Sequence, residues 1–239
     1  MRDEGRDSAR SAYEETTALV QELDELKQRG SNLLVVGSRM PGAHRAACRQ
    51  FLGEESTGPR RRLFALANPC TPVTERTPET ELEPDSLRVV RYAAANRSTA
   101  AARPAVEPSV NEPSVDETTI EHDDLGEFGR AVSRSIAEFE AASSGLSPAE
   151  LRLCFDSLTP LLSEYEPETM FRFLHLLTHR VRSVDGMGHY HLTTDRNTRS
   201  VALLEPLFDA VIELCLHDGS LHQRWCLRDS GLTTGWLQF

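Results

Sequence analysis

The sequence predicts an α/β protein with a mainly parallel central sheet flanked by helices and an antiparallel strand hairpin at the C-terminal end. Three observations predict it. Short apolar runs without polar alternation, beginning with Leu33-Leu34-Val35-Val36, fit strands buried on both faces. Segments with apolar residues at helical spacing lie between those runs. Near the end, two strand-like runs flank His217-Asp218-Gly219-Ser220, a hairpin turn sequence. Strand and helix alternating along the chain is the signature of a parallel sheet.

Taken in order, Ala18, Leu19, Leu23 and Leu26 recur at helical spacing, and Gly30 stops that helix. The strand at 33–36 is closed by Gly37, and 42–52 reads as the next helix. Residues 62–67 and 87–93 read as second and third strands. Residues 96–119 are rich in Ala, Pro, Ser and Glu. They bury too little apolar surface to offset ordering entropy, so a disordered insertion within a single domain over 1–239 is expected. Leu125, Phe128, Val132, Ile136 and Phe139 then mark one face of a helix. At 151–155 two signals conflict: Leu151-Arg152-Leu153-Cys154-Phe155 suggests a strand, while Ser147-Pro148-Ala149-Glu150 resembles a helix capping box. A helix over 167–182, a strand over 187–192, a helix over 198–208, and strands over 211–216 and 223–227 complete the reading.

Composition narrows the function classes. Of 239 residues, 37 are acidic and 26 basic, giving a net charge of −11, and Lys27 is the single lysine. An acidic chain repels phosphate backbones, so nucleic acid is not an expected partner. The basic run Arg60-Arg61-Arg62 precedes an apolar run and reads as the solvated approach to a strand. No apolar run is long enough for a membrane helix, and the first residues resemble neither a signal nor a transit peptide, so a cytoplasmic protein is expected. Few lysines among many carboxylates fit adaptation to high salt; high genomic GC content has the same effect on lysine. Cys48, Cys70, Cys154, Cys215 and Cys226 are odd in number and never spaced C-x-x-C, which predicts free packed thiols rather than disulfides or structural zinc. The pairs His175/His179, His189/His191 and His217/His222 read as solvated or core-satisfied, with no metal expected. Trp225 and Trp236 read as packing residues.

One segment carries chemistry. A phosphate-binding loop needs a strand, Gly-x4-Gly-Lys-Ser/Thr and a helix: glycines let backbone N–H groups wrap phosphates, lysine neutralises them, and the hydroxyl holds magnesium. Gly37 and Gly42 keep that spacing, with Ser38 and Arg39 in the loop. The lysine position holds Ala43 and the hydroxyl position His44.

The second half reinforces the comparison. Phe155-Asp156-Ser157-Leu158-Thr159 resembles the Walker B region of the KaiC-like branch of the RecA superfamily. The helix at 171–182, the strand hairpin from 208 and the closing Ser230-Gly231-Leu232-Thr233-Thr234-Gly235-Trp236 are similar to that branch as well. The likeness spans roughly residues 15–95 and 120–239 and is nearest the degenerate KaiC-like proteins common in halophilic archaea. It implies a RecA-like sheet, favours a strand at 151–155, and makes Gly37, Ser38, Arg39, Gly42, Ala43, His44 and Asp156 the vestigial nucleotide-binding candidates. Family ATPases also carry glutamates at the end of the second strand, where this chain has Asn68-Pro69, and a basic Lys-x-Arg-Gly element, of which Arg228 to Gly231 keeps one cation.

Three degraded catalytic elements predict no efficient hydrolysis, because phosphoryl transfer rests on positioning and charge stabilisation. The expectation is a catalytically inactive regulatory or protein-interaction module with weak or no nucleotide binding, no catalytic residues and no required cofactor, ATP and magnesium being left open. Its partner is expected to be another protein, with self-association open. Two alternatives stand beside it: a slow NTPase using Arg39 or Arg45 in place of lysine, and a DNA-linked regulator using Arg60 to Arg62.

Overall fold

A computed structural model describes residues 17, 19–37, 41–53, 58–67, 73, 84–93, 116–121 and 124–239. Among these described residues, nine strands form one sheet in the order β4-β3-β2-β5-β6-β1-β7-β8-β9. These are β1 (Ser31–Val36), β2 (Arg61–Leu66), β3 (Leu87–Ala93), β4 (Asp116–Glu121), β5 (Leu151–Asp156), β6 (Met187–Leu192), β7 (Ala210–His217), β8 (Ser220–Leu227) and β9 (Leu237–Gln238). All neighbours from β4 to β7 are parallel, whereas β7-β8-β9 is antiparallel. The expected α/β class with its C-terminal hairpin is therefore the observed one.

The helices are α1 (19–28), α2 (Pro41–Leu52), α3 (Leu125–Ser143), α4 (Leu158–Glu164), α5 (Pro167–Arg182) and α6 (Arg199–Leu204). Strands buried on both faces need cover on both, and alternation of side chains divides the core in two. Leu34, Val36, Leu153, Phe155 and Tyr190 face α3, α4, α5 and α6. Leu33 and Val35, with Phe64, Leu66 and Cys154, point to the opposite face, where α1 and α2 pack. On the larger side Phe128 of α3 sits among the rings of Tyr92, Phe155 and Phe173, with centroids 5.3, 5.7 and 6.2 Å away.

Local chemistry sets the boundaries. Asp124 caps α3, its carboxylate accepting the Glu127 N–H at 2.8 Å. Thr198 caps α6 through Val201, and Pro206 turns the last part of the expected helix over 198–208 into a 3-10 turn at Glu205–Leu207. Gly30 has φ +70°, and a Cβ there would lie 2.8 Å from the Asp185 backbone, so the α1–β1 joint requires glycine.

Two expectations are corrected. Residues 116–119, read as part of a disordered insertion, belong to β4, which pairs with β3 from Arg88↔Asp116 to Ala93↔Glu121. Arg88 and Arg91 on β3 hold Asp116 and Glu117, a cross-strand charge match that compensates for a strand almost without apolar residues. Residues 96–115 lie outside the described residues. The capping-box signal at 147–150 is real chemistry in another setting. Glu150 accepts the Ser147 N–H at 3.0 Å, but Ala149 at φ +59° makes this a tight turn into β5.

Candidate functional site

Open parallel sheets bind ligands at the carboxyl ends of their strands. Here β1 ends at Val36 and is followed by Gly37, β5 ends at Asp156, and β6 runs between them. The register places Val35, His191 and Asp156 side by side on β1, β6 and β5. Two strand spacings separate β1 from Asp156, roughly 10 Å.

Each residue of the degenerate phosphate loop has a place or lies outside the described residues. Ser38 and Arg39 fall in the second group, as do Asn68 and Pro69 after β2. A Cβ on Gly37 would approach Leu214 Cβ and O at 3.1 and 3.2 Å, so close packing against β7 alone accounts for this glycine. Gly42 lies in the first turn of α2, and a Cβ there would meet nothing within 4 Å. Ala43 and His44, at the positions of the lysine and the hydroxyl, are buried. His44 turns inward: its Nε2 is 3.0 Å from the Gly37 carbonyl and its Nδ1 is 3.0 Å from His191 Nδ1. Asp156 is buried at the carboxyl end of the interior strand β5, its carbonyl accepting the Ala67 N–H.

Of the two arginines weighed in place of the loop lysine, Arg39 lies outside the described residues and Arg45 is half-buried on α2. Other basic residues are engaged within the chain. Arg62, expected to be solvated, is fully buried: it enters β2 and donates to the Gly53 carbonyl at 3.0 Å. Arg152 of β5 donates to the Phe51 carbonyl at 3.2 Å. Both cations thus satisfy carbonyls at the C-terminal end of α2, where the helix dipole favours positive charge. Burial, with Arg60 and Arg62 nearby, pushes the Arg152 guanidinium down to about 10. Arg61 donates to Asp85 O and Ser143 Oγ and pairs with Glu150 at 3.6 Å. Arg228, the remaining cation of the degraded late element, donates to the Pro206 carbonyl at 2.7 Å and to Asp229. These contacts describe structural arginines rather than a surface that reads phosphates.

Beneath α2 the structure assembles a constellation that linear spacing concealed. Cys48 of α2, Cys154 of β5, and His189 and His191 of β6 are all buried, and one candidate ligand atom from each lies within 4.8 Å of the others. Cys48 Sγ is 3.0 Å from Cys154 Sγ and 3.4 Å from His189 Nε2. Alternation puts His189 and His191 on the same face of β6, and the parallel register sets Cys154 directly beside His189. Helix α2 delivers Cys48 from above, one turn after His44. Phe51, a turn later on the same helix face, lays its ring 5.6 Å from His189 and 5.8 Å from Trp225. Burial, then the contact with Cys48, pushes the Cys154 thiol up to about 11.

The expectation of unrelated packed thiols and core-satisfied histidines therefore changes for these four residues, because the ligand types converge from three elements, α2 lying more than a hundred residues before β5 and β6. The period-two His-x-His on a predicted strand was the available signal, though it names only two members. His175 and His179 are exposed on α5, and His217 and His222 stand at the hairpin with ring centroids 5.9 Å apart. Trp225 is buried as expected, whereas Trp236 is 43% exposed beneath the Arg224 guanidinium.

Among the described residues, no helix is long and apolar enough to cross a membrane. No curated protein matches the sequence. A family model does, over residues 30–214, so that the match takes in β1 through most of β7, the loop after β1 and all four members of the buried Cys/His cluster. The chain belongs to the family described as Family of unknown function (DUF7504).

Proposed function

We propose that this protein is a non-hydrolytic regulatory or protein-interaction module built on a degenerate RecA/KaiC-like frame and working in the cytoplasm. The observation that carries the reading is the orientation of His44. At the position where a phosphate loop presents its magnesium-binding hydroxyl, the side chain is buried and both ring nitrogens face internal partners, Gly37 O and His191 Nδ1. Ala43, at the lysine position, supplies no charge. Phosphoryl transfer needs a cation and a metal held at the outer phosphates, and removing even one such element typically costs orders of magnitude in rate. Without that lysine and hydroxyl, Asp156 has no loop partners with which to share a metal-bound nucleotide.

The test is titration calorimetry with Mg-ATP in molar potassium chloride, run beside a phosphate-release assay. No binding heat at millimolar nucleotide and no turnover are expected. Turnover near one per second that Asp156→Ala abolishes would refute the reading.

A further inference from the structure

We propose that Cys48, Cys154, His189 and His191 form a buried tetrahedral binding site for a zinc ion. None of the four ligands belongs to the phosphate loop, but the loop positions Gly37 and His44 support one of them, so the proposal shares the orientation of His44 with the reading above and is tested separately from it.

Hydrogen-bond logic carries the argument. A backbone carbonyl only accepts, so His44 Nε2, 3.0 Å from Gly37 O, bears the proton of a neutral ring. Its Nδ1 is then an acceptor, and His191 Nδ1, 3.0 Å away, is the donor. This fixes the His191 tautomer with a bare lone pair on Nε2. That nitrogen is completely buried and has no hydrogen-bond partner. A buried acceptor without a partner costs free energy, and a metal-ligating histidine characteristically has its other ring nitrogen tied into a supporting hydrogen bond. The chain Gly37 O, His44, His191 has the form of such a support, aimed from the far side of the ring.

Size and charge agree. With Zn–S near 2.3 Å and Zn–N near 2.0 Å, tetrahedral edges are roughly 3.8 Å between sulfurs and 3.5 Å between sulfur and nitrogen. The corresponding separations here are 3.0 Å for Cys48–Cys154 and 3.4 Å for Cys48–His189, so the sulfurs part by less than about one ångström to admit the ion. On binding, each thiol releases one proton. Two thiolates then balance the dication, and the two imidazoles stay neutral, so the complex carries no net charge into the core. A Cys48–Cys154 disulfide would need an oxidant and would leave His191 Nε2 unmatched; zinc engages all four groups. Two thiolates with two imidazoles in a closed, buried set match a structural zinc centre rather than an open catalytic one. With no ligand atom at the surface, the ion enters as the chain folds.

The experiment uses the full chain purified under reducing conditions, with metal content measured by mass spectrometry. One equivalent of zinc per chain is expected. Denaturation with a chelator followed by refolding should give a protein whose Tm is about 5–10 °C lower, restored by zinc alone. Refolding with cobalt(II) should give the visible bands of a tetrahedral site and a sulfur-to-cobalt charge-transfer band. The double variant Cys48→Ser/Cys154→Ser should lose that charge-transfer band. His44→Ala, which removes only the support of His191, should weaken zinc about 10- to 100-fold, with His44→Gln recovering part of the loss. If the cysteine variant does not fold, the cobalt spectrum of the unaltered chain still decides. Zinc below a tenth of an equivalent after refolding with excess metal, cobalt bands without sulfur character, or a Cys48–Cys154 disulfide persisting under reducing conditions would each overturn the proposal.

Discussion

Replacing Asp209 with alanine tests the joint that fixes β1 in the sheet. The carboxylate is 4% exposed and accepts the Asn32 N–H at 2.7 Å, while Arg182 Nη2 reaches its two oxygens at 3.1 and 2.9 Å. Truncation strands the buried Asn32 N–H, which costs about 1–3 kcal/mol. It also deprives Arg182 of its countercharge. A fully buried orphan charge would add about 3–5 kcal/mol. Arg182 is 40% exposed and can turn to water, so this contribution falls to roughly 1 kcal/mol. The sum is about 2–4 kcal/mol, a drop in urea midpoint on the order of 1 M with an unchanged slope. Asp209→Asn keeps an oxygen for the Asn32 N–H and should cost about half as much. Urea denaturation followed by far-ultraviolet circular dichroism measures both. An alanine variant within about 0.5 kcal/mol of the parent would refute the reasoning. Equal midpoints for the two variants would refute the role given to the Asn32 N–H.

Phe128→Ala opens the centre of a four-ring cluster at a fully buried position and should cost about 3–5 kcal/mol in the same assay. A loss below about 2 kcal/mol would mean that α3 closes over the gap. The third prediction concerns acid. The hydrogen bond from Arg29, helped by Arg228, holds the Asp229 carboxyl below its ordinary 3.8. A folded-state value below the unfolded one stabilises above the unfolded value and ceases to do so as pH falls through the folded value. Thermal melts across pH should therefore show Asp229→Asn slightly below the parent at neutrality, the gap closing below pH 3.8 and shrinking throughout in molar salt. A gap that widens in acid would contradict the assignment.

The first parallel strand was legible because burial on both faces leaves an unbroken apolar run at 33–36; at 151–155 Arg152 interrupts the run, and local pattern did not decide between strand and helix. The hairpin was legible because Asp218-Gly219 supplies the positive φ its turn needs. Strand β4 was not, since Asp116, Glu117, Thr118 and Thr119 carry no apolar signature. Their pairing depends on the open edge of β3 and on two arginines there. The glycines of the loop pattern were visible, but their reasons were not: Gly37 answers to Leu214, a contact 177 residues away in sequence, and Gly42 to no neighbour. The Cys/His cluster was hidden for a topological reason. Its members lie on one helix and two strands, and only the crossovers that place β5 beside β6 under α2 bring 48, 154, 189 and 191 together. Local spacing encodes hairpins and metal knuckles formed by one segment; it does not encode a site stitched from three.

The sheet's two margins also bear on assembly. Among the described residues β4 pairs only with β3, and it turns outward a row that begins with two carboxylates. At the other end β9 offers just two residues. Both are devices that stop one sheet from adding strands to the next. The carboxylates of β4 are already held by Arg88 and Arg91, which leaves a charged rather than an apolar margin, and β9 is short. Among the described residues, neither margin of the sheet offers a long open strand to a second copy. Salt, which screens charge, leaves the shortness of β9 as a barrier that does not depend on electrostatics.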